Sequence, residues 1–368
     1  MSSLIVEVCE VNKIIPHKNA DAMEIAIIKG WEVCVKRGLY SVGDRCVYFP
    51  PDSVIPVELS DKLDITKYLR KGRVCVTNLR GVPSYGTVMK YDGANPTGFD
   101  MTEELGITKW EPPIKATNGD AARPDSVFHT YYSMENLRNF PDAFENGEEV
   151  EVTEKLHGEN VRVGIIQIAD KNGNKVWSFV AGSHNVQRKQ FVTKEDGTQE
   201  ESVFWKALTP NIKGYLAWIS GSGYHGQEIE SNPVVRKDLH GSNVIMFGER
   251  FGVVQDLHYG MSNGDFRFRW FDMTYNANYI SCPIKKDSFV MAKAEQVPVI
   301  YRGPFVMDKM IELASGFSTI DGKTIREGIV ITSNIEQECV TAKRVLKRKQ
   351  FKLINPEYLT RKNGTEFH

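Results

Sequence analysis

The first part of the chain is interrupted by turn residues too often to hold long helices. Over about the first 90 residues it contains short β-branched and apolar runs, which lie at 5–11, 24–28, 32–35, 44–49 and 73–77. Short strands at this spacing are typical of small antiparallel barrels. We therefore predict an all-β N-terminal domain.

The second part mixes strands with a few helices. Strand-like runs lie at 150–152, 161–168, 243–247, 266–271 and 328–332. Asp308 is a candidate N-cap for a helix over 309–315, which Gly316 would end. Because strands and helices do not alternate regularly, the pattern favours an α+β domain of antiparallel sheets with flanking helices over a doubly wound sheet.

The length and the local composition set the domain boundaries. A chain of 368 residues exceeds one average domain. The segment 92–125 is rich in Gly, Pro, Asn, Asp and Thr, which is typical of an interdomain connection. We predict a barrel at 1–100, a linker at 101–124 and the α+β domain at 125–368.

Charge and cysteines narrow the class of protein. The 46 Lys and Arg nearly balance the 47 Asp and Glu, so nucleic-acid binding can be argued only from local charge, such as the basic segment 343–362. The six cysteines form no Cys-x-x-Cys pair, and no apolar run is long enough to span a bilayer. We expect an intracellular, cytoplasmic protein that does not enter a membrane.

The segment 154–160, Glu-Lys-Leu-His-Gly-Glu-Asn, lies between two strand-like runs. Gly158 follows Lys155 by three residues, so the backbone could approach a nucleotide while the amine reaches a phosphorus. By itself this pattern is common, and a surface turn explains it better.

Further segments follow in a fixed order. They are Phe-Gly-Glu-Arg at 247–250, the aromatic and basic run 266–272, Arg-Glu-Gly-Ile-Val-Ile at 326–331 and Val-Leu-Lys-Arg-Lys at 345–349. Together with 154–160 they resemble the ordered motifs of covalent nucleotidyltransferases, the nucleic-acid ligases and capping enzymes. His157 within the first motif makes the chain most similar to ATP-dependent RNA ligases of the double-strand, nick-sealing type.

The N-terminal part carries a second resemblance. Ile-Pro-His-Lys-Asn-Ala-Asp at 15–21, with the segments 42–44 and 51–56, resembles the tRNA-binding oligonucleotide/oligosaccharide-binding (OB) barrel of some aminoacyl-tRNA synthetases. It is also similar to the N-terminal OB module of RNA ligases that include an amoeboflagellate enzyme. Such barrels bind nucleic acid. The basic residues that could meet phosphates here are Lys36, Arg37, Arg70, Lys71, Arg73 and Arg80.

The ligase resemblance implies a reaction with covalent intermediates. The Lys155 amine would attack the α-phosphorus of ATP, release pyrophosphate and form lysyl-AMP. The adenylate would pass to an RNA 5′-phosphate, and a 3′-hydroxyl would then displace AMP. The implied cofactors are ATP with Mg²⁺ or Mn²⁺, the partner is nicked duplex RNA, and the protein is expected to act as a monomer.

Two carboxylates are candidates for the metal and the sugar. Glu249 and Glu327 each lie beside a glycine and an apolar run, where carboxylates suit ribose hydroxyls or a hydrated divalent ion. By resemblance Glu249 mainly serves the ribose and Glu327 the metal and phosphates. A salt bridge at a strand end is the alternative for both.

Two lysines are candidates to contact the triphosphate, and a phenylalanine is a candidate to stack on the base. Lys347 and Lys349 are two apart on a predicted strand, so they would share a face, favour a deprotonated nucleophile and neutralise the triphosphate. A solvated basic edge strand explains them equally well. Phe271 shares its strand face with Arg267 and Arg269, so its ring is a candidate to stack on adenine.

The remaining roles come from the resemblance. Asn160 would contact the ribose, Glu154 and its backbone the adenine edge, and His157 would act at the phosphate or in sealing. The group that binds the RNA 5′-phosphate stays open among three candidates, which are His184, Arg188 and Arg162.

Two other functions remain possible from the sequence. One is a DNA ligase or a capping-type nucleotidyltransferase, which would keep Lys155 but change the base or polymer. The other is a non-catalytic RNA-binding protein with a tRNA-binding-like barrel. If the barrel mainly grips RNA, lysyl-AMP formation should survive its removal in a fragment of residues 121–368.

Overall fold

The structure is a computed structural model and describes residues 3–111, 119–194, 196–222, 241–361 and 364–365. Within these ranges, no helix has the length and apolar character needed to cross a membrane. The chain folds as two parts, an N-terminal all-β part and a larger part that mixes sheets with helices.

The N-terminal part is built from short strands. Its elements are β1 (Glu7–Glu10), β2 (Lys13–Pro16), β3 (Met23–Ile28), β4 (Trp31–Lys36), β5 (Arg45–Phe49), β6 (Ser53–Val54), α1 (Val57–Lys62), a 3₁₀ turn (Thr66–Tyr68), β7 (Thr77–Leu79), β8 (Val82–Ser84), β9 (Thr87–Lys90) and β10 (Thr108–Lys109). Strands β1, β5 and β9 form one antiparallel sheet and β2, β3 and β4 another. The prediction of an all-β domain is confirmed.

Strand β4 shows why these segments form half-buried strands. Trp31, Val33 and Val35 are buried, whereas Glu32 and Lys36 are exposed and Cys34 is half-buried. Successive side chains of a strand point to opposite faces, so this alternation places one row in the core and the other in water.

The N-terminal domain extends beyond its predicted end at residue 100. Strand β10 pairs with β6, Met101 and Ile107 are buried in the barrel core, and the Arg73 guanidinium lies 3.6 Å from the Trp110 ring centroid. Turn-rich composition indicates irregular backbone but does not show whether that backbone packs, so the sequence did not predict that residues 101–110 contact the barrel. The rest of the predicted linker includes 112–118, which lie outside the described residues.

The second part contains the remaining elements. They are β11 (Glu135–Asn136), a 3₁₀ turn (Leu137–Asn139), β12 (Glu149–Lys155), β13 (Gly158–Ala169), β14 (Lys175–Ser183), β15 (Gln187–Arg188), β16 (Phe191–Thr193), β17 (Gln199–Glu201), a 3₁₀ turn (Trp205–Ala207), α2 (Pro210–Ser220), β18 (Val244–Gly252), β19 (Phe266–Tyr275), β20 (Asn278–Tyr279), α3 (Cys282–Met291), β21 (Val299–Pro304), α4 (Met307–Ala314), β22 (Gly328–Ser333), β23 (Cys339–Val340), β24 (Val345–Leu346), β25 (Gln350–Ile354) and α5 (Pro356–Leu359).

Two large sheets dominate this part. The six-stranded sheet has the order β15-β14-β13-β18-β19-β20, and the five-stranded sheet has the order β11-β25-β22-β12-β21. Neighbouring strands are antiparallel except for the parallel pair β11 and β25. The predicted α+β domain of antiparallel sheets is confirmed.

Helices cover the outer faces of the two sheets. Tyr215 and Leu216 of α2 pack with Met246 and Trp270 of the six-stranded sheet. Met310 of α4 packs with Ile331 of the five-stranded sheet. The helix predicted over 309–315 is present as α4, two residues earlier at its start, with Asp308 in its first turn.

The barrel and the second domain share an apolar core. Trp31 and Tyr48 of the barrel belong to one buried cluster with Leu156, Phe251 and Ile354 of the second domain. Leu156 directly follows Lys155, so the barrel packs behind the turn that carries the predicted nucleophile.

Candidate active site

Lys155 is the last residue of β12 and lies at the edge of a polar sheet face. Its cross-strand partner is Gly328 of β22, which in turn pairs with Ile354 of β25. Residues paired across antiparallel strands share a face, so Lys155 lies on the side opposite the apolar row of Ile329 and Leu353. The Lys155 side chain therefore points to the face of the five-stranded sheet opposite the apolar core that contains Ile329 and Leu353.

Glu327 is the immediate partner of Lys155. The Lys155 Nζ lies 2.5 Å from Oε1 of Glu327, whose side chain is fully buried, while the lysine side chain is 16% exposed. A buried carboxylate is costly unless it is paired, and the lysine supplies that pairing. Two residues 172 apart in sequence thus form one ion pair.

Two glycines are required by close backbone packing around this pair. A Cβ at Gly158 would collide with the carbonyl oxygen of Arg250, and one at Gly328 would collide with that of Leu353. Any other residue would push neighbouring strands apart. The glycines that the sequence placed next to Lys155 and Glu327 are therefore packing requirements.

Glu249 and Asn160 face the cleft from the six-stranded sheet. They are cross-strand partners, and Arg269 stands next to Glu249 on the following strand. Burial raises the pKa of Glu249 to about 8; the nearby Lys155 charge opposes this rise, and the charge of Glu327 adds to it. Glu249 is therefore close enough to the Lys155 and Glu327 pair for their charges to interact.

Phe271 sits at an irregularity of β19. Phe247 pairs with Asp272 and Gly248 with Trp270, so Phe271 is the extra residue of a β-bulge. Bulges re-aim a side chain relative to its strand. The ring packs edge-on against Tyr131 at 5.1 Å between centroids.

A buried polar network supports the bulge. Asp272 accepts hydrogen bonds from Arg348 and Tyr131, each at 2.7 Å. Burial alone would raise the pKa of Asp272, but the Arg348 and Lys285 cations hold that pKa below its usual range. The sequence analysis missed this network because its members are more than 70 residues apart.

His157 is buried two residues after Lys155. Its backbone N–H donates to the Tyr259 hydroxyl at 2.7 Å, and its ring nitrogens contact Asp256 at 2.8 Å and Tyr358 at 3.0 Å. Nδ1 lies 3.6 Å from Oε2 of Glu327. The structure therefore brings His157 next to Glu327 and adds Asp256, Tyr259 and Tyr358 as partners that sequence reasoning did not identify.

The Glu154 carboxylate is already engaged. Its Oε2 accepts hydrogen bonds from the backbone N–H and the hydroxyl of Thr319, at 2.8 and 2.7 Å. These bonds hold the loop before Glu327 against β12. The backbone N–H of Glu154 donates to the carbonyl oxygen of Pro298 at 2.8 Å, whereas Oε1 of its carboxylate is buried without a hydrogen-bond partner among the described residues.

Lys347 and Lys349 are not placed in the cleft. Neither belongs to a strand, since β24 ends at Leu346 and β25 begins at Gln350. Lys347 is exposed, and Lys349 forms an ion pair with Glu148 at 2.6 Å beside the Phe144 ring. The predicted strand that would have aligned both lysines toward the nucleotide is absent from these residues.

A different lysine occupies the face that carries Lys155. Lys352 lies within β25, is buried, and pairs with Val330, which pairs with Thr153. Thr153 is two residues before Lys155, so all of these residues share the face of Lys155. The alternation of apolar Phe351 and Leu353 with polar neighbours was the sequence signal that could have identified Lys352.

The donor set fits a nucleotide with a hydrated divalent ion. Among the described residues no cluster of three or more metal-binding side chains occurs. Magnesium commonly takes only one or two carboxylates and completes its shell with waters and substrate phosphates, which Glu249 and Glu327 could satisfy. Oδ1 of Asn160 is buried without a hydrogen-bond partner, an acceptor suited to a ribose hydroxyl.

The three candidates for the RNA 5′-phosphate lie together but differ in availability. Arg162 is buried, and its guanidinium donates to the carbonyl oxygens of Ser183 and Phe128. Arg188 forms an ion pair with Asp120. Burial lowers the pKa of His184. Both arginines are thus already held by protein groups.

Comparison with known proteins agrees with this architecture. The RNA ligase family matches residues 148–351, more than half of the chain, and an OB-fold domain matches residues 5–90, which confirms the predicted OB barrel. Curated protein sequences give no match.

Solved structures with the same fold include those of an RNA ligase from Naegleria gruberi. Naegleria gruberi RNA ligase with PPi is 23% identical, with a TM-score of 0.67 over 97% of this chain and 98% of that chain. A mutant of Naegleria gruberi RNA ligase with ATP and Mn is 22% identical, with a TM-score of 0.68 over 97% and 98%. The family match over the domain that holds Lys155 and the shared two-domain fold lead to one conclusion: this chain belongs to the RNA ligase family.

Proposed function

We propose that the protein is an ATP-dependent RNA ligase that joins 3′-hydroxyl and 5′-phosphate ends through lysyl-AMP at Lys155. The observation that carries the proposal is the ion pair of Lys155 with the buried Glu327, in which the two side chains lie 2.5 Å apart and Lys155 stays 16% exposed. ATP and manganese occur with the Naegleria enzyme of the same fold. Family membership supports RNA as the polymer.

The residues on the Lys155 face have separate tasks. The ion pair with Glu327 holds Nζ in place until ATP binds; it must then separate, and the amine must lose its proton before it attacks the α-phosphorus. Lys352, on the same face, would stabilise the negative charge that moves to pyrophosphate, the task that the sequence assigned to Lys347 and Lys349.

The opposite wall of the cleft would bind the nucleoside. Asn160 and Glu249 would take the ribose hydroxyls, and Phe271 would stack on adenine, since a base gains about 1–3 kcal/mol from an aromatic face. His157 would act next to Glu327 at the phosphates. Glu327 and Glu249 would hold the Mg²⁺ or Mn²⁺, which supplies charge neutralisation at the phosphate oxygens when bound.

The experiment for this proposal is intact mass spectrometry after incubation with ATP and a divalent ion. The parent should gain the mass of AMP on the peptide that contains Lys155, and Lys155→Ala should gain none. Lys29→Ala is the matched control, because Lys29 is 15% exposed and paired with the buried Glu7. An adduct at another residue, or its absence from the folded parent, would refute the proposal.

The substrate part of the proposal is sealing of nicks in duplex RNA. It rests on the resemblance of the 154–160 motif to nick-sealing enzymes. Matched nicked duplexes that differ only in RNA or DNA on each side of the break would test it, and efficient sealing of all-DNA nicks alone would contradict it.

Two further experiments test the alternative functions. Incubation with labelled GTP in place of ATP tests whether the protein is a capping enzyme. Loss of sealing in Lys155→Ala with retained RNA binding excludes a purely RNA-binding role.

A further inference from the structure

The C-terminal helix α5 lies against the turn that carries the nucleophile. The Tyr358 hydroxyl is 3.0 Å from Nδ1 of His157, and the two rings meet edge to face at 5.6 Å. Asp256, in the loop between β18 and β19, places Oδ1 2.8 Å from Nε2. His157 is 2% exposed and protein groups contact both ring nitrogens, although the side chain of Asp256 itself is 48% exposed.

The chemistry of these partners fixes where the imidazole proton lies. Burial raises the pKa of Tyr358 well above its usual value, so the phenol keeps its proton and can donate it to Nδ1. Burial alone would raise the pKa of Asp256, but Arg361 and His157 hold it lower, so the carboxylate accepts. A neutral imidazole has a single N–H, and in this arrangement it is on Nε2.

Arg361 links the two partners of His157. Its guanidinium pairs with Asp256 and lies 4.7 Å from the centroid of the Tyr358 ring. Asp256 and Tyr358 come from segments about a hundred residues apart, and Arg361 holds both against the ring. Such supporting contacts keep an imidazole in one orientation.

The position of this proton affects Glu327. Nδ1 lies 3.6 Å from Oε2 of Glu327, whose Oε1 binds Lys155 Nζ. An N–H on Nδ1 would face that carboxylate and compete with Lys155 as a hydrogen-bond donor to it. With the N–H on Nε2 directed at Asp256, the imidazole does not compete with Lys155 for Glu327.

We propose that Tyr358 and Asp256 are positioning residues that hold the His157 ring in one orientation, with its N–H on Nε2 directed at Asp256, beside Glu327 and Lys155. The C-terminal segment is then a working part of the active site. This proposal rests on the proposed function, because it concerns the formation of lysyl-AMP.

The first test removes a single hydroxyl. Tyr358→Phe should lower the rate of lysyl-AMP formation at saturating ATP about five- to tenfold, the effect of one lost hydrogen bond, and leave the KM for ATP unchanged. Tyr215→Phe is the matched control, because it removes a buried hydroxyl that contacts Tyr275 at 3.1 Å, far from His157 in the core beneath α2.

The second test reads the tautomer directly. Nitrogen-15 NMR of histidine-labelled protein should show a protonated Nε2 and an unprotonated Nδ1 for His157 in the parent. In Asp256→Asn the amide can donate to Nε2, which moves the proton to Nδ1, and the rate of lysyl-AMP formation should fall further. If Tyr358→Phe fails to fold, the proposal is tested by the rate of lysyl-AMP formation in Asp256→Asn and by the nitrogen-15 spectrum of the parent.

Parent rates in both variants, or a parent spectrum with the proton on Nδ1, would overturn the proposal. A folded parent that forms no lysyl-AMP would instead refute the proposed function, and the spectrum would still report whether Tyr358 and Asp256 fix the tautomer. The two failures are therefore distinguishable.

Discussion

At the scale of single residues, the Glu249 carboxyl has a raised pKa, and this shift affects both the stability of the protein and the binding of a cation. Its carboxyl is mostly buried near Glu327 and Glu159, and its pKa is raised to about 8 from an ordinary 4.5. A group that prefers to be neutral in the folded protein must carry charge to bind a cation. Below a pH of about 8 the Glu249 carboxyl therefore stays protonated, and binding of a cation would require it to lose that proton.

The pH dependence follows from this shift. Between pH values of about 4.5 and 8 the folded protein holds a proton on Glu249 that the unfolded chain has released, so this group makes stability fall as pH rises. Without nucleotide or metal, Glu249→Gln should melt at a higher temperature than the parent at a pH of about 9 and at nearly the same temperature at about 5. Lysyl-AMP formation should fall.

Thermal melts at both pH values check this expectation. Glu312→Gln is the control, because it removes the same charge from the exposed side of α4. A Glu249→Gln protein that melts lower than the parent at high pH would contradict the assignment of the buried charge.

At the scale of elements, the sequence predicted most strands of the second domain. It did not predict where the last strand, β25, begins, and therefore which of its side chains share the face of Lys155. The strands at 150–152, 161–168, 266–271 and 328–332 are present and longer than predicted, and they bring Lys155, Glu327 and Glu249 together. Which lysine faces the nucleotide depends on where β25 begins. That start is set by pairing with β22, a long-range contact that local alternation does not contain.

The β-bulge at Phe271 is a second feature beyond the sequence pattern. Alternation along 266–271 correctly grouped Phe271 with Arg269, yet the pattern gave no sign of an extra residue there. The bulge is held by Asp272 and Arg348, whose pairing crosses the space between the two sheets. The strand propensity of the local sequence does not include such contacts between distant residues.

The start of β25 decides whether Lys352 or Lys349 shares the face of Lys155, and alanine variants of the two lysines test this. Lys352→Ala should slow lysyl-AMP formation about 100-fold, since groups that stabilise developing charge contribute at this scale. Lys349→Ala should mainly reduce stability, because it breaks the ion pair with Glu148. Single-turnover rates and melting temperatures of both variants provide the measurement, and a larger rate loss in Lys349→Ala would restore the interpretation made from sequence.

At the scale of the whole molecule, the barrel and the ligase domain are less separable than their sequences suggest. Glu7 of β1 pairs with Lys29 of the barrel and with Lys343 of the ligase domain, the latter at 2.5 Å. Arg138 of the ligase domain lies 4.2 Å from the Trp31 ring centroid. Composition identified two domains, but it carried no information about the apolar interface between them.

The expectation that lysyl-AMP formation survives removal of the barrel is therefore revised. A fragment of residues 121–368 would expose Leu156, Phe251 and Ile354, which are buried in the shared core. It should melt at a lower temperature than the full chain and form lysyl-AMP more slowly. Melting curves and adduct mass spectra of the two proteins check this, and a fragment as stable and as active as the full chain would contradict it.

The position of Leu156 has a consequence for how such enzymes can diversify. Because Leu156, next to Lys155, is buried in an apolar cluster that includes barrel residues, this ligase domain cannot accept an unrelated N-terminal domain without loss of buried apolar surface. A new barrel would have to present a matching apolar surface to Leu156 and Phe251. Recombination between relatives should therefore tend to inherit the two halves as a pair.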